Sequence, residues 1–215
     1  MSSKKIWNYW SSRYDRLLMQ KYSLSVTRDK VIEMIRKYNR LKVKNILDIG
    51  CGTGQLLEDL ERYFEQDGKK DKNFHMLGID YSPGMIDVAR KKGIKADFCV
   101  KDVSELATID RAFDIIVCTH SLPYYKDQKK AFKDMTSLLR EGGLLILAHG
   151  SSNSIYDKIA FTLTKMTTGS AKYLSKREVI RFCDPDLVIL AMDVLKECFW
   201  MPTLLVTVFR KKERK

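Results

Sequence analysis

The stretch I-L-D-I-G-C-G-T-G, residues 46–54, constrains the chain more than any other feature. It reads as a short buried strand, Asn45 to Ile49, that breaks into a loop with Gly50, Gly52 and Gly54 on alternate positions. The segment after it, from Gln55, places Leu56, Leu57 and Leu60 at helical spacing. Strand, glycine loop and helix N-terminus together make a holder for a polar or anionic ligand group. Glycines let backbone N–H groups approach closely, and the helix end offers unpaired donors.

The loop is not a dinucleotide fingerprint. That pattern wants a glycine at the sixth position for close helix–strand packing, and the sixth residue from Gly50 is Gln55. Asp48 also stands two places before the first glycine. A carboxylate there suits a ligand's ammonium group and sits badly beside a pyrophosphate, which favours a zwitterionic ligand over NAD.

Downstream, strands and helices alternate. A strand from Phe74 to Ile79 ends on Asp80, and Ser82-Pro83 supplies an N-cap and a first-turn proline for a helix containing Met85, Ile86 and Val88. A third strand, Ala96 to Lys101, leads to Asp102 and Val103, and a fourth, Phe113 to Thr119, leads to His120. A helix from about Asp127 to Leu139 stops at Gly142-Gly143, and a fifth strand spans Leu144 to Ala148. Near-continuous apolar runs in these strands indicate a parallel sheet covered on both faces, a doubly wound α/β domain. Ser175-Lys176-Arg177-Glu178 reads as a capping box opening a helix that ends before Pro185. Val188 to Trp200 and Thr203 to Phe209 are strand-like runs joined through Met201-Pro202, so short a link that they must be antiparallel.

The parts before and after the core differ from it. Residues 1–22 are rich in aromatics, including Trp7, Trp10, Tyr14 and Tyr22, and residues 28–40 form an amphipathic helix with Val31, Ile32, Ile35 and Tyr38 on one face. Another helix is expected over 155–166. The chain is read as one domain of 215 residues: a helical cover or lid (1–40), a ligand-binding core (41–150), a helical insertion (151–185), and a terminal hairpin with a basic tail (186–215).

Nothing at the N-terminus has the form of a signal peptide, and no window approaches the roughly 18 apolar residues of a membrane span. The five cysteines lack C-x-x-C spacing, so reduced thiols in the cytoplasm are expected, and no metal site is. The net charge of +12 admits RNA, an anionic surface or an acidic substrate. No nucleic-acid module accompanies it, so nucleic acid is a possible partner and not the favoured one. Oligomeric state is not legible.

The chain resembles the class I S-adenosylmethionine-dependent methyltransferases, in particular the small-molecule, methyltransferase type 11 branch that includes quinone-biosynthesis enzymes. The resemblance runs from about Tyr14 to Gly150 and rests on L-D-I-G-C-G-T-G, L-G-I-D-Y-S-P-G-M, K-D-V, F-D-I-I-V-C and L-L-R-E-G-G-L-L-I-L. It implies a Rossmann-like sheet of seven strands, mostly parallel, with an antiparallel C-terminal hairpin strand. S-adenosylmethionine is then the implied cofactor. Asp48, Gly50, Cys51 and Gly52 would hold its methionine part, Asp80 its ribose hydroxyls, and Tyr81 and Met85 its adenine. Asp102 would accept from the adenine amino group beside the Val103 backbone, with His120 near the methionyl end.

A sulfonium already carries a good leaving group, so such a protein needs mainly to align an acceptor and exclude water. The catalytic residue is therefore open. His120, His149 and Tyr14 are candidates, although a histidine at a strand end is more often a hydrogen-bonded wall residue. The Asn/Asp-Pro-Pro-aromatic signature of amino-methyltransferases is absent, Ser121-Leu122-Pro123-Tyr124 being the nearest stretch. Cys118 lacks the Pro-Cys context of a nucleophile. The expectation is methyl transfer to a small-molecule acceptor by in-line displacement. The alternatives are an RNA or protein methyltransferase and a non-catalytic S-adenosylmethionine-binding protein.

Overall fold

The computed structural model describes residues 3–16, 23–66, 74–196 and 201–213. Tyr22 and Lys21, the polar linker after Gln66, Cys198, Trp200 and the last two residues of the basic tail lie outside them.

One seven-stranded sheet runs through the molecule in the order β3-β2-β1-β4-β5-β7-β6. Its strands are β1 (Asn45–Ile49), β2 (His75–Asp80), β3 (Asp97–Val100), β4 (Phe113–Thr119), β5 (Leu139–Gly150), β6 (Leu187–Leu195) and β7 (Leu204–Lys211). The first five are parallel, and β7 inserts antiparallel between β5 and β6. This is the mostly parallel sheet with a terminal antiparallel hairpin that the sequence implies.

The alternation of side chains along each strand sorts consecutive apolar residues into two cores. On one face Leu47, Ile49, Ile116, Leu145, Leu147 and Phe209 pack with α5 (Gln128–Leu138) and α7 (Lys176–Phe182). On the other, Ile46, Ile115, Val117, Ile146 and Val208 pack with α2 (Ser25–Tyr38), α3 (Gln55–Gln66) and α4 (Pro83–Arg90). Buried Asp114 fixes the start of β1 by accepting the N–H groups of Lys44 and Asn45 at 2.7 and 2.8 Å. Helices α1 (Ser3–Trp10) and α6 (Ile155–Thr168) lie outside these two layers and touch each other.

Several boundaries differ from expectation: β3 is a residue shorter at each end, and β6 ends at Leu195 within the run expected to reach Trp200. Helix α5 ends at Leu138, before the glycine pair, and β5 begins at Leu139, which pairs with Phe113. The register then slips between Phe113 and Ile115, and Gly142 at φ +75° lets the chain swing back into line. β2 ends on Asp80, as expected, and the Asp80 carbonyl accepts the Lys101 N–H at 3.0 Å. β2 begins one residue after the expected Phe74, at exposed His75.

Candidate functional site

The parallel strands β1, β2 and β4 end together, and the glycine loop turns between them. The N–H groups of Gly50 and Cys51 both reach the Ile79 carbonyl, at 2.8 and 3.0 Å, which folds the loop back across the end of β2. Gly50 sits at φ +75°, and a Cβ there would overlap the Ser121 side chain. Gly52 sits at φ +53° under the ring edge of Tyr14. Side chains at either point would be strained or would block the approach of backbone N–H groups.

Asp48 lies under this loop, 1% exposed, and among the described residues neither carboxylate oxygen has a hydrogen-bond partner. Burial, with the charge of Asp80 adding to it, pushes its pKa up to about 8. A buried carboxylate left bare is costly to a fold and is normally paired. It opens on a cavity of about 40 Å³ lined by Tyr14, Arg28, Gly50, Gly52, Gln55 and His120, among others. The Arg28 guanidinium stands in the same wall, held by Asp59 at 2.6 Å and by Gln55 at 3.0 Å. Anion and cation on one small cavity are the complement of an amino acid's ammonium and carboxylate. The donor set therefore fits the methionine part of S-adenosylmethionine.

Asp80 is the brace of the loop. Its Oδ2 accepts the Gly52 N–H at 3.0 Å and its Oδ1 the Ser82 N–H at 2.9 Å. Burial raises its pKa, and these two bonds oppose the rise. An ionised carboxylate has about four acceptor sites, so two remain for a ligand diol. Tyr81 is half-buried and Met85 fully buried in the first turn of α4. Asp102 and Val103 lie farther along, past β3. Asp102 is exposed and accepts the N–H and hydroxyl of Ser104 at 2.9 and 2.6 Å, capping a short 3-10 turn that Val103 begins.

The catalytic candidates fall into two groups. Tyr14 and His120 line the cavity, whereas His149 lies behind it within β5. His120 takes φ +58° and donates its backbone N–H to Ala148 at 2.7 Å. Its Nε2 lies 3.0 Å from Thr27 Oγ1, whose own proton is given to the Ser23 carbonyl. His120 must then donate from Nε2, leaving Nδ1 with the lone pair. Burial, the neighbouring His149 and Arg28 lower its pKa to about 4, so it is neutral at physiological pH. His149 donates from Nδ1 to the Gly150 carbonyl at 2.7 Å, and its buried Nε2 has no partner among the described residues. Burial lowers its pKa too. Tyr14 is shifted the other way, chiefly by burial, so its phenol stays protonated. Cys118 contacts Ser121 and Tyr125, and burial holds its thiol up at about 11, in the unreactive form.

The N-terminal segment contributes residues that spacing does not reveal. Asn8 on α1 accepts the Ser82 hydroxyl at 2.6 Å and the Gly84 N–H at 3.1 Å, which ties α1 to the start of α4. Asp15 accepts the Thr53 hydroxyl at 2.5 Å and pairs with Lys92 at 2.7 Å. Trp7 then stands edge-on to both Tyr14 and Tyr124, with centroids 6.2 and 5.2 Å away, and Tyr14 brings this ring cluster against Gly52 of the loop.

Residues 46–143 match the family of methyltransferase domains. Among curated proteins, the chain is 28% identical over 121 residues to a ubiquinone biosynthesis O-methyltransferase of Coxiella burnetii, covering 54% of this chain and 48% of that protein. The chain thus spans about half the length of the curated relatives it first matches. Among solved structures it is similar to magnesium protoporphyrin IX methyltransferase of Synechocystis with S-adenosylhomocysteine bound. The TM-score is 0.72 at 18% identity, covering 98% of this chain and 100% of that one. It is similar also to an S-adenosylmethionine-dependent methyltransferase of Clostridium acetobutylicum, with TM-score 0.71 and 21% identity over 96% of this chain and 99% of that one. With the glycine loop at the ends of parallel strands and the hairpin strand β7 beside β5, the chain has the fold of these solved methyltransferases, and its residues 46–143 are similar to the methyltransferase domain family.

Proposed function

We propose that this protein transfers a methyl group from S-adenosylmethionine to a small-molecule acceptor. The observation that carries the reading is Asp48, a buried carboxylate with both oxygens bare beneath a glycine loop, on a cavity that Arg28 also lines. When bound, S-adenosylmethionine supplies a methyl group on a sulfonium, activated without help from the protein.

The chain's own residues then bind, orient and dry the site. Asp48 takes the ammonium and Arg28 the carboxylate of the methionine part. Asp80 keeps Gly52 and the β2–α4 turn in place while its remaining lone pairs take the ribose hydroxyls. Tyr81 and Met85 flank the adenine, and Asp102 with the Val103 backbone reads its edge. Tyr14, Trp7 and Tyr124 close the outer side against water, which strengthens every charge contact inside. An acceptor O–H or N–H must lose its proton, and the lone-pair nitrogens present are His120 Nδ1 and His149 Nε2. Both imidazoles are held neutral by burial, so neither is already charged when the acceptor arrives.

A small acceptor of apolar character is favoured by the aromatic ring cluster and by the names of the similar curated proteins. Several of these are named as methyltransferases of quinone biosynthesis. Incubating the full chain with methyl-labelled S-adenosylmethionine and fractionated cell extract tests the reading. Label should appear in the small-metabolite or lipid fraction. Label confined to RNA or protein would point to the other two acceptor classes, and no transfer despite tight cofactor binding would point to a binding protein.

A further inference from the structure

A helix laid on a protein surface turns its apolar stripe inward. Helix α6 does the reverse. Ile155, Ile159 and Leu163 are spaced four apart, so they stack along one face, and they are 77%, 59% and 62% exposed. Tyr156 beside them is 44% exposed, and Val194 near the end of β6 is 55% exposed. The inward side carries Phe161, stacked on Tyr173 at 3.9 Å, and the buried carboxylate of Asp157. Asp157 accepts the N–H groups of Asn153, Ser154 and Thr203 at 3.2, 3.0 and 2.9 Å. Rolling the helix to bury its isoleucines would pull this carboxylate out and strand three backbone donors, a cost of the kind the fold cannot absorb cheaply. The outward stripe is therefore fixed by the same contacts that pin α6 to the start of β7.

The rim of the stripe is cationic. Asp157 is the acidic residue of α6 and is buried, so the exposed charges of that helix are Lys158 and Lys165. Lys196, two residues beyond Val194, reaches across to lie 5.5 Å from the Tyr156 ring centroid. Such a face repels a second copy of itself, because lysines would meet lysines. Apolar residues at the centre, an aromatic ring at the edge and flexible lysines around them are the chemistry that enters a headgroup layer and neutralises phosphates.

We propose that the α6 face docks the protein on an anionic lipid bilayer surface, with Ile155, Ile159 and Leu163 entering the boundary between headgroups and acyl chains. Among the described residues no helix is long and apolar enough to cross a membrane, so this is attachment to one leaflet. The proposal goes beyond methyl transfer and stands whatever the acceptor proves to be.

Vesicle sedimentation of the full chain tests it, with phosphatidylcholine vesicles and with mixed phosphatidylcholine–phosphatidylglycerol vesicles. The chain should sediment with the anionic vesicles and be released by high salt. Ile159→Glu combined with Leu163→Glu should lower the partition coefficient at least about tenfold. Lys158→Glu with Lys165→Glu should lower it about fivefold or more. Circular dichroism melts of both variants should match the parent, since all four positions are exposed; the lysine pair keeps the test valid if the first variant folds poorly. Failure of the parent chain to bind anionic vesicles, or binding undiminished in both variants, would overturn the proposal. So would light scattering that shows a dimer which the Ile159/Leu163 variant dissolves.

Discussion

Asp48→Asn is expected to make the ligand-free protein more stable at pH 8 and, at the same time, to weaken its hold on S-adenosylhomocysteine. Burial pushes the carboxyl up to about 8 in the folded chain, against an ordinary value of 3.8. Between these values the folded state keeps a proton that the unfolded chain has released, so stability falls as pH rises across that window and the penalty is complete above it. Removing the charge should return on the order of 5 kcal/mol at pH 8 and almost nothing near pH 4. For a chain of this size that is a rise of about 10–20 °C in Tm at pH 8. Affinity should drop by about 1.5–3 kcal/mol, the value of a hydrogen bond to a charged group. Thermal melts at the two pH values and calorimetry at pH 8 check both halves. A variant less stable than the parent at pH 8, or one that binds the ligand as well, would contradict the assignment.

The neighbouring carboxylate should behave in the opposite sense. Asp80→Ala strips the acceptor from the Gly52 and Ser82 N–H groups, two backbone donors held at 3.0 and 2.9 Å. Leaving them without partners costs about 1–3 kcal/mol each. A loss of about 2–4 kcal/mol in urea unfolding is expected, together with a loss of ligand affinity larger than that of Asp48→Asn, because the loop itself loosens. Since the charge of Asp80 helps hold the Asp48 pKa up, the two substitutions should not be additive. Unchanged unfolding of Asp80→Ala would remove its bracing role, and unchanged affinity would remove the ribose assignment.

That difference between two similar carboxylates shows where reading the sequence stopped. The spacing of Asp48 and Asp80 from the glycine loop marks both as site residues. It says nothing of which one the fold already uses, since that depends on where Gly52 and Ser82 point their N–H groups. β1 and β4 run over the expected residues because their apolar runs are bounded by residues of another kind. β5 proved longer, because Gly142 and Gly143 read as a helix stop when they are the bulge that joins Leu139 to the rest of its strand. Arg28 appeared in the sequence only as one more positive charge in an amphipathic helix. Its place on the cavity that Asp48 also lines follows from the packing of α2 on the sheet and from its bonds to Asp59 and Gln55. Asn8 and Asp15 reach partners 74 and 38 residues away, beyond any local pattern. α6 was legible as a helix, but its orientation was not: the buried polar Asp157 overrode the apolar stripe that periodicity would have turned inward.

The central claim is that Asp48 and the glycine loop hold the methionine part of an S-adenosyl ligand and not a dinucleotide. Isothermal titration calorimetry of the full chain with S-adenosylhomocysteine and with NAD, under one set of conditions, tests it most directly. The account predicts saturable binding of S-adenosylhomocysteine with proton release below about pH 8, as Asp48 ionises to meet the ammonium, and no measurable heat from NAD. NAD binding more tightly than S-adenosylhomocysteine, or a folded protein that binds neither, would contradict it.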